Sequence, residues 1–207
     1  MLSPPATPMP STESTTRASL LVRIRDPRDA EAWAQFNRVY GPLIFRFARK
    51  HGFQDSDAAD LTQEVLREVC RKIGQFDYDR ELGRFRGWLL TVARYTLIKM
   101  RQAKARQPGG TGDTATIRKL ESVADDSDAL EQDWNQEYER TVFECAAREV
   151  RGQVLESTWE AFWRTAVDGR KPIQVARELS MSVGAVYVSR NRILARLKQQ
   201  ISEIDDE

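Results

Sequence analysis

The chain has 207 residues, 41% hydrophobic and 30% charged, with a formal net charge of +1. That composition suits one or two small helical domains and excludes a fibrous or membrane-embedded class. No apolar run approaches the ~20 residues that span a bilayer.

The first residues, "MLSPPATPMPSTESTTR", contain no apolar core of a secretory signal and read as a disordered polar tail over 1–18. The two cysteines, Cys70 and Cys145, lie far apart without CxxC spacing. Neither a disulfide framework nor a zinc site is expected, and a reducing cytoplasm is the expected compartment. From about Pro27, Trp33, Phe36, Tyr40, Leu43 and Phe47 recur at three- and four-residue steps, which predicts an amphipathic helix. Gly41-Pro42 is expected to kink or restart it, because proline lacks the N–H. A second helix is predicted over about Ser56 to Gly74, capped by Ser56 or Asp57. Its core face is Leu61, Val65, Leu66, Val69 and Ile73. On its other face Asp60, Gln63, Glu64, Arg67 and Arg71 come together. That set reads as a solvated face or a docking face; interspersed arginines argue against a divalent cation.

"QFDYDRELGR" reads as a polar loop, and a third long helix follows to about Arg106. Residues 84–106 carry seven cations and no acid, whereas 107–139 carry nine acids against Arg118 and Lys119. The overall charge hides this segregation, and a local basic field is what attracts a polyanion. On a helical wheel Leu89, Leu90, Val92, Ala93, Leu97 and Met100 form one broad side. Trp88, Thr91, Arg94, Tyr95, Ile98, Lys99 and Arg101 form the other. Rings interleaved with cations are the composition of a single-strand platform, where rings stack on unpaired bases and cations hold phosphates. A second aromatic face packed into its own domain, with cations reaching outward, would give the same pattern.

"QPGGTGD" breaks the helix, and 107–128 reads as a linker. Further helices are predicted over 129–150, 153–167, 172–179 and 182–203. The segment "PIQVARELSMSVGAVYVSRNRILARL" (172–197) predicts a short helix, a tight turn and a longer helix, as in a helix-turn-helix. Ser182 can cap the second helix. Val183, Val186, Ile193, Leu194, Leu197 and Ile201 would share its buried face. Gly184, Ala185, Val188, Ser189, Asn191, Arg192 and Arg196 would face out, small residues first, as insertion into a major groove requires. A hairpin that merely packs is the alternative. The fold class expected is therefore all-α, two small helical domains joined by a flexible linker. No Gly-rich phosphate loop occurs, and with His51 as the one histidine no catalytic constellation, metal site or cofactor is expected.

"DAADLTQEVLREV" (57–69), "FRGWLLTVAR" (85–94), a linker and a C-terminal helix-turn-helix with "SVGAVY" (182–187) resemble, in that order, the bacterial sigma-70 family. The two-domain form is similar to its extracytoplasmic-function group. The resemblance implies a non-enzymatic promoter-specificity subunit. It implies a region 2-like domain over 19–106 and a region 4-like domain over 129–207. Asp60, Leu61, Gln63, Glu64 and Arg67 would dock on core RNA polymerase. Arg84, Arg86, Trp88, Thr91, Arg94 and Tyr95, with the Asp77–Arg86 loop, would recognise and open the −10 element. Ser182, Gly184, Ala185, Val188, Ser189, Arg192 and Arg196 would read the −35 element. The partners implied are core RNA polymerase and promoter DNA, with an anti-sigma factor as a further candidate. The chain departs from the family at Tyr95 and Lys99, where Asn and Asp are common, and at Ser180, the usual turn glycine. A stand-alone helix-turn-helix regulator is the alternative function.

Overall fold

The computed structural model describes residues 17–76, 85–105 and 127–204, and all regular structure among them is helical. The elements in chain order are α1 (Arg17–Arg23), α2 (Ala30–Lys50), α3 (Asp55–Lys72), α4 (Phe85–Ala105), α5 (Ser127–Gly152), α6 (Glu156–Phe162), α7 (Pro172–Glu178) and α8 (Val183–Ile204). A three-residue 3-10 turn, Ile73–Gln75, extends α3, and a π-helical turn, Trp163–Val167, extends α6. The expected all-α class holds. The expected loop Asp77–Arg84 and most of the expected linker lie outside the described residues, as does most of the N-terminal tail.

Helix α1 lies partly inside the segment read as a polar tail. Leu20, Leu21 and Ile24 enter the core at 4% exposure or less. Three apolar residues over two turns are too few to show a helical period. Arg23 then clips the next element, its guanidinium donating to Asp29 at 2.8 Å. Asp29 in turn caps α2 by accepting from the Ala32 N–H at 2.9 Å.

Helix α2 runs as one helix through Gly41-Pro42, which corrects the expected restart. Pro42 is exposed, and its missing N–H leaves the Arg38 carbonyl without its intrahelical donor. The Cys145 thiol on α5 lies 3.9 Å from that carbonyl and points a weak donor at it. The helix ends at His51, with Gly52 at φ 86°. Only glycine enters that left-handed region at no steric cost. Helix α3 starts one residue earlier than expected. Its cap position is Gln54, which makes no side-chain capping bond, rather than Ser56 or Asp57. Its acidic first turn, Asp55 and Asp57, complements the helix dipole instead.

The core of the first half is built as the periodicity demands. Phe36, Tyr40, Leu43 and Phe47 of α2, Leu61, Val65 and Val69 of α3, and Phe85, Leu89, Ala93 and Leu97 of α4 are all at 2% exposure or less. The ring of Phe85 touches four others, Phe36, Tyr40, Phe76 and Trp88, with centroids 5.4–5.9 Å apart.

Helix α5, expected over 129–150, packs in a way the sequence did not disclose. It carries an apolar stripe at four-residue steps, Leu130, Trp134, Tyr138, Val142, Ala146 and Val150, each at 4% exposure or less. The first four positions pack into the α2–α3–α4 core, and the last two join a second cluster with Trp159, Phe162, Ile193 and Leu197. One uninterrupted helix thus belongs to two cores. Polar bonds flank the first of these contacts. Arg46 on α2 donates to Glu137 at 3.1 Å, to Glu144 at 2.9 Å and to the Thr141 hydroxyl. Lys50 pairs with Asp133 at 2.8 Å.

His51 sits at this seam, 8% exposed, its Nε2 3.6 Å from Asp133 and without a hydrogen-bond partner. Burial lowers its pKa, Arg101 and Lys50 lower it further, and Asp133 opposes them. A histidine held neutral in the fold but free to charge when unfolded destabilises the native state in acid. Stability is therefore expected to be flat above pH ~6.5 and to fall as the pH drops through the unfolded-state pKa near that value. Thermal melts at pH 8, 6.5 and 5.5 check this, with His51→Phe expected to flatten the slope.

Candidate nucleic-acid interface

Helix α4 presents the aromatic and cationic face, and packing sorts its residues into different states. Tyr95 is the most open large side chain of the face, 62% exposed. Thr91 and Lys99 are exposed beside it, and Arg94 is half-buried. The Thr91 hydroxyl donates to the Gly87 carbonyl at 3.0 Å, which holds the side chain against its own helix. Trp88 is half-buried, with its ring 4.9 Å from Phe76 and 5.4 Å from Phe85. The indole is thereby tied to the core by two ring contacts and keeps only partial exposure. Trp88 and Tyr95 therefore do not form a matched pair of free rings.

The cations differ as well. Arg101 donates to the His51 carbonyl at 2.6 Å and lies over the Phe53 ring at 5.8 Å. Lys104 is paired with Asp57 on α3. Both therefore pin α4 to its own domain. Arg86 lies over the Tyr138 ring of α5, 4.9 Å from its centroid. Its guanidinium is thereby a bridge between α4 and α5, which no spacing in the sequence could disclose. Arg84 lies outside the described residues.

The acidic face of α3 is as open as its period implies. Asp60, Gln63 and Arg67 are exposed and Glu64 is half-buried. Glu64 pairs along the helix with Arg67 at 3.2 Å and Arg71 at 3.7 Å, and Glu68 pairs with Arg71 at 2.7 Å. Such pairs are worth little in stability on a wet surface. They keep the face near neutral while leaving its hydrogen-bonding groups outward. Leu61 is an exception among the expected docking residues. It is fully buried, so it holds α3 in place and offers no side chain to a partner. Between α2 and α3 lies an open groove of about 480 Å³ lined by residues including Asn37, Pro42, Phe45, Ala59 and Gln63.

Helices α7 and α8 are a short helix and a longer one joined by a tight turn. Val175 and Ala176 bury α7 against Val186, and the small Ala176 lets the axes approach. The turn passes through Ser180 at φ 52°, the left-handed conformation that a glycine adopts more cheaply. Ser180→Gly is expected to raise, and Ser180→Val to lower, the unfolding free energy by about 1 kcal/mol in urea titrations. The Ser182 hydroxyl caps α8 as expected, accepting from the Ala185 N–H at 3.0 Å.

On α8, Gly184, Val188, Asn191 and Arg192 are exposed and Ala185 is half-buried. Ser189, placed on the outer face from the wheel, is 6% exposed, and Val183 and Leu194, placed inside, are 38% and 43% exposed. The burial stripe is centred on Val186, Ile193 and Leu197. Ser189, three residues after the first and four before the second, falls on its flank. Arg196 donates to the Gln153 carbonyl at 3.3 Å, which ties it to the loop after α5.

The chain is similar to known proteins in sequence and, more distantly, in structure. Residues 37–107 match the family model for sigma-70 region 2. The chain is 32% identical over 96 residues to the ECF RNA polymerase sigma factor RpoE of Cereibacter sphaeroides, covering 46% of this chain and 51% of that protein. It thus spans about half the length of the curated relative it matches. Among solved structures, similarity extends to the RsbN–BldN complex, at 17% identity over 86% of this chain and 97% of that one, with a TM-score of 0.34. It extends also to CnrH in complex with the cytosolic domain of CnrY, at 20% identity over 88% and 95%, with a TM-score of 0.35. Among the described residues no helix is long and apolar enough to cross a membrane.

Proposed function

We propose that this chain, related to the sigma-70 family through its region 2 at residues 37–107, is a promoter-specificity subunit of RNA polymerase. Its partners are core polymerase and promoter DNA, and it melts DNA by binding energy rather than by catalysis. The observation that carries the reading is the coincidence of that match with an open, polar α3 face and an α4 face bearing Tyr95. Asp60, Gln63, Glu64 and Arg67 supply the polymerase contact. Arg86, Trp88, Thr91, Arg94 and Tyr95 supply the −10 contact, with Tyr95 as the stacking ring and Trp88 as its half-anchored neighbour. Ser182, Gly184, Ala185, Val188 and Arg192 face the −35 duplex. Ser189 and Arg196 support the helix that carries them.

Run-off transcription on genomic fragments with core polymerase, with and without the protein, tests the reading. No gain in specific transcripts would sink it. Within that assay, Tyr95→Ala is expected to lower open-complex formation about 5- to 150-fold, the cost of one lost base stack of ~1–3 kcal/mol. Its core-polymerase affinity should remain unchanged. Permanganate reactivity of promoter thymines reads the melting step. A stand-alone regulator would rest on the helix-turn-helix alone. It would bind duplex DNA and show no dependence on core polymerase.

A further inference from the structure

We propose that Tyr187 and Val188 of α8 are specificity-determining residues that read thymine 5-methyl groups in the major groove of the −35 duplex. This inference rests on the promoter reading for the identity of the ligand, and on the exposed face of α8 for the rest. The two side chains are 49% and 59% exposed, and neither joins the neighbouring core clusters. They stand in water at the fifth and sixth residues of a 22-residue helix.

The surroundings of the pair suit DNA. At ~100° per residue, Gly184, Tyr187, Val188, Asn191, Arg192 and Lys198 share one face of α8, and all six are exposed. From Val183 to Gln200 the helix carries Arg190, Arg192, Arg196 and Lys198 and no acid, so its field attracts a polyanion. A Cβ at Gly184 would meet nothing nearer than the Ser182 hydroxyl at 3.9 Å. The front of the helix is therefore clear of the rest of the chain.

Several polar groups of this region are engaged within the chain. The Ser182 hydroxyl accepts from the Ala185 N–H at 3.0 Å. Ser189 is 6% exposed, and Arg196 donates to the Gln153 carbonyl at 3.3 Å. Asn191 and Arg192 supply hydrogen-bonded readout, but they stand one turn farther along. The leading turn offers a ring and two methyl groups. On the major-groove edges of the four bases the one apolar group is the C5-methyl of thymine. Val188 lies near the middle of the face and Tyr187 toward one edge, so the two address different base pairs.

The full chain, with and without core polymerase, is used to select from a duplex library with a randomised core. The selected duplex is then made with each thymine in turn replaced by uracil, which keeps every donor and acceptor of thymine and lacks only the methyl. Wild-type affinity, read by fluorescence anisotropy of the labelled duplex, is expected to fall about fourfold at each methyl that is read, the weight of one buried methyl group. Val188→Ala should bind the thymine duplex about fourfold less tightly and cease to distinguish uracil at one position. Tyr187→Ala should do the same at another, and Tyr187→Phe should keep the distinction. Both side chains are exposed and alanine is the better helix former, so the variants should fold as wild type. The slope of affinity against salt should stay unchanged in both, because no phosphate contact is lost.

A wild-type chain that binds the thymine and uracil duplexes equally at every position would overturn the proposal. So would alanine variants that still distinguish them, because the methyl would then be read elsewhere, and so would a selected sequence without A·T pairs. Equal losses in Tyr187→Phe and Tyr187→Ala would show a hydroxyl contact in place of a methyl contact. Selection of no common sequence would refute the −35 reading itself. A selected duplex that directs no transcription with core polymerase would refute the promoter reading instead, while the uracil titrations would still decide the methyl readout.

Discussion

Trp134→Ala is expected to lower the free energy of unfolding by about 3–5 kcal/mol, the range for deleting a large aromatic from a close-packed site. The indole is fully buried between α2 and α5, and its edge meets the Phe47 ring at an interplanar angle of 88°. Its Nε1 hydrogen has no acceptor, and an unpaired buried donor carries a desolvation cost. Trp134→Phe therefore loses volume and also removes that cost. It is expected to destabilise by only about 1–2 kcal/mol. Urea denaturation followed by far-UV circular dichroism separates the two. A loss for Trp134→Phe well above 2 kcal/mol would show that the N–H is satisfied by water.

Phe85→Ala is the second large expected loss, again about 3–5 kcal/mol. This ring is fully buried at the first residue of α4 and contacts rings from α2, from the segment after α3, and from α4 itself. Edge-to-face contacts add about 0.5–1.5 kcal/mol each beyond burial. The consequence differs from that at Trp134. Removing Phe85 takes away the support of Trp88 and loosens the start of α4. Single-strand binding should fall in proportion more than duplex binding through α8. Phe85→Leu, which keeps most of the volume, should retain single-strand binding at a cost of about 1–2 kcal/mol. Unfolding titrations and the two binding assays on each variant check both statements.

The positions of the helices after α1 were legible in the sequence because their apolar residues repeat at helical steps and their breaks carry glycine and proline. Gly41-Pro42 misled for a specific reason. The packing of α2 on α3 and α5 outweighs the cost of the proline, and a thiol from α5 lies opposite the stranded carbonyl. The allegiance of α5 was not legible at all. Its stripe at 130, 134, 138, 142, 146 and 150 reads as one face, and periodicity says that a face is buried but not by what.

The candidate sites divide along the same line. Exposure of Tyr95, Asp60, Gln63, Gly184 and Arg192 followed from the wheel. The burial of Ser189 did not, because a residue on the edge of a stripe tips inward or outward according to the tilt of its neighbour. Leu61 had a place on the core wheel and among the docking residues that the resemblance implied, and it lies fully in the core. The stacking of Arg86 on Tyr138 joins residues 52 positions apart, beyond the reach of local pattern.

A helix shared by two cores should not protect its amides evenly. In native-state hydrogen exchange, the amides around Leu130 to Val142 would exchange whenever α5 lifts from α2. Those around Ala146 to Val150 would wait for the opening of the second cluster. The boundary would fall near Phe143 to Cys145, within continuous helical hydrogen bonding and with no glycine or proline to mark it. Protection would then change along a single helix because its two ends answer to different neighbours, and the isotope pattern would map where one cooperative unit stops and the next begins.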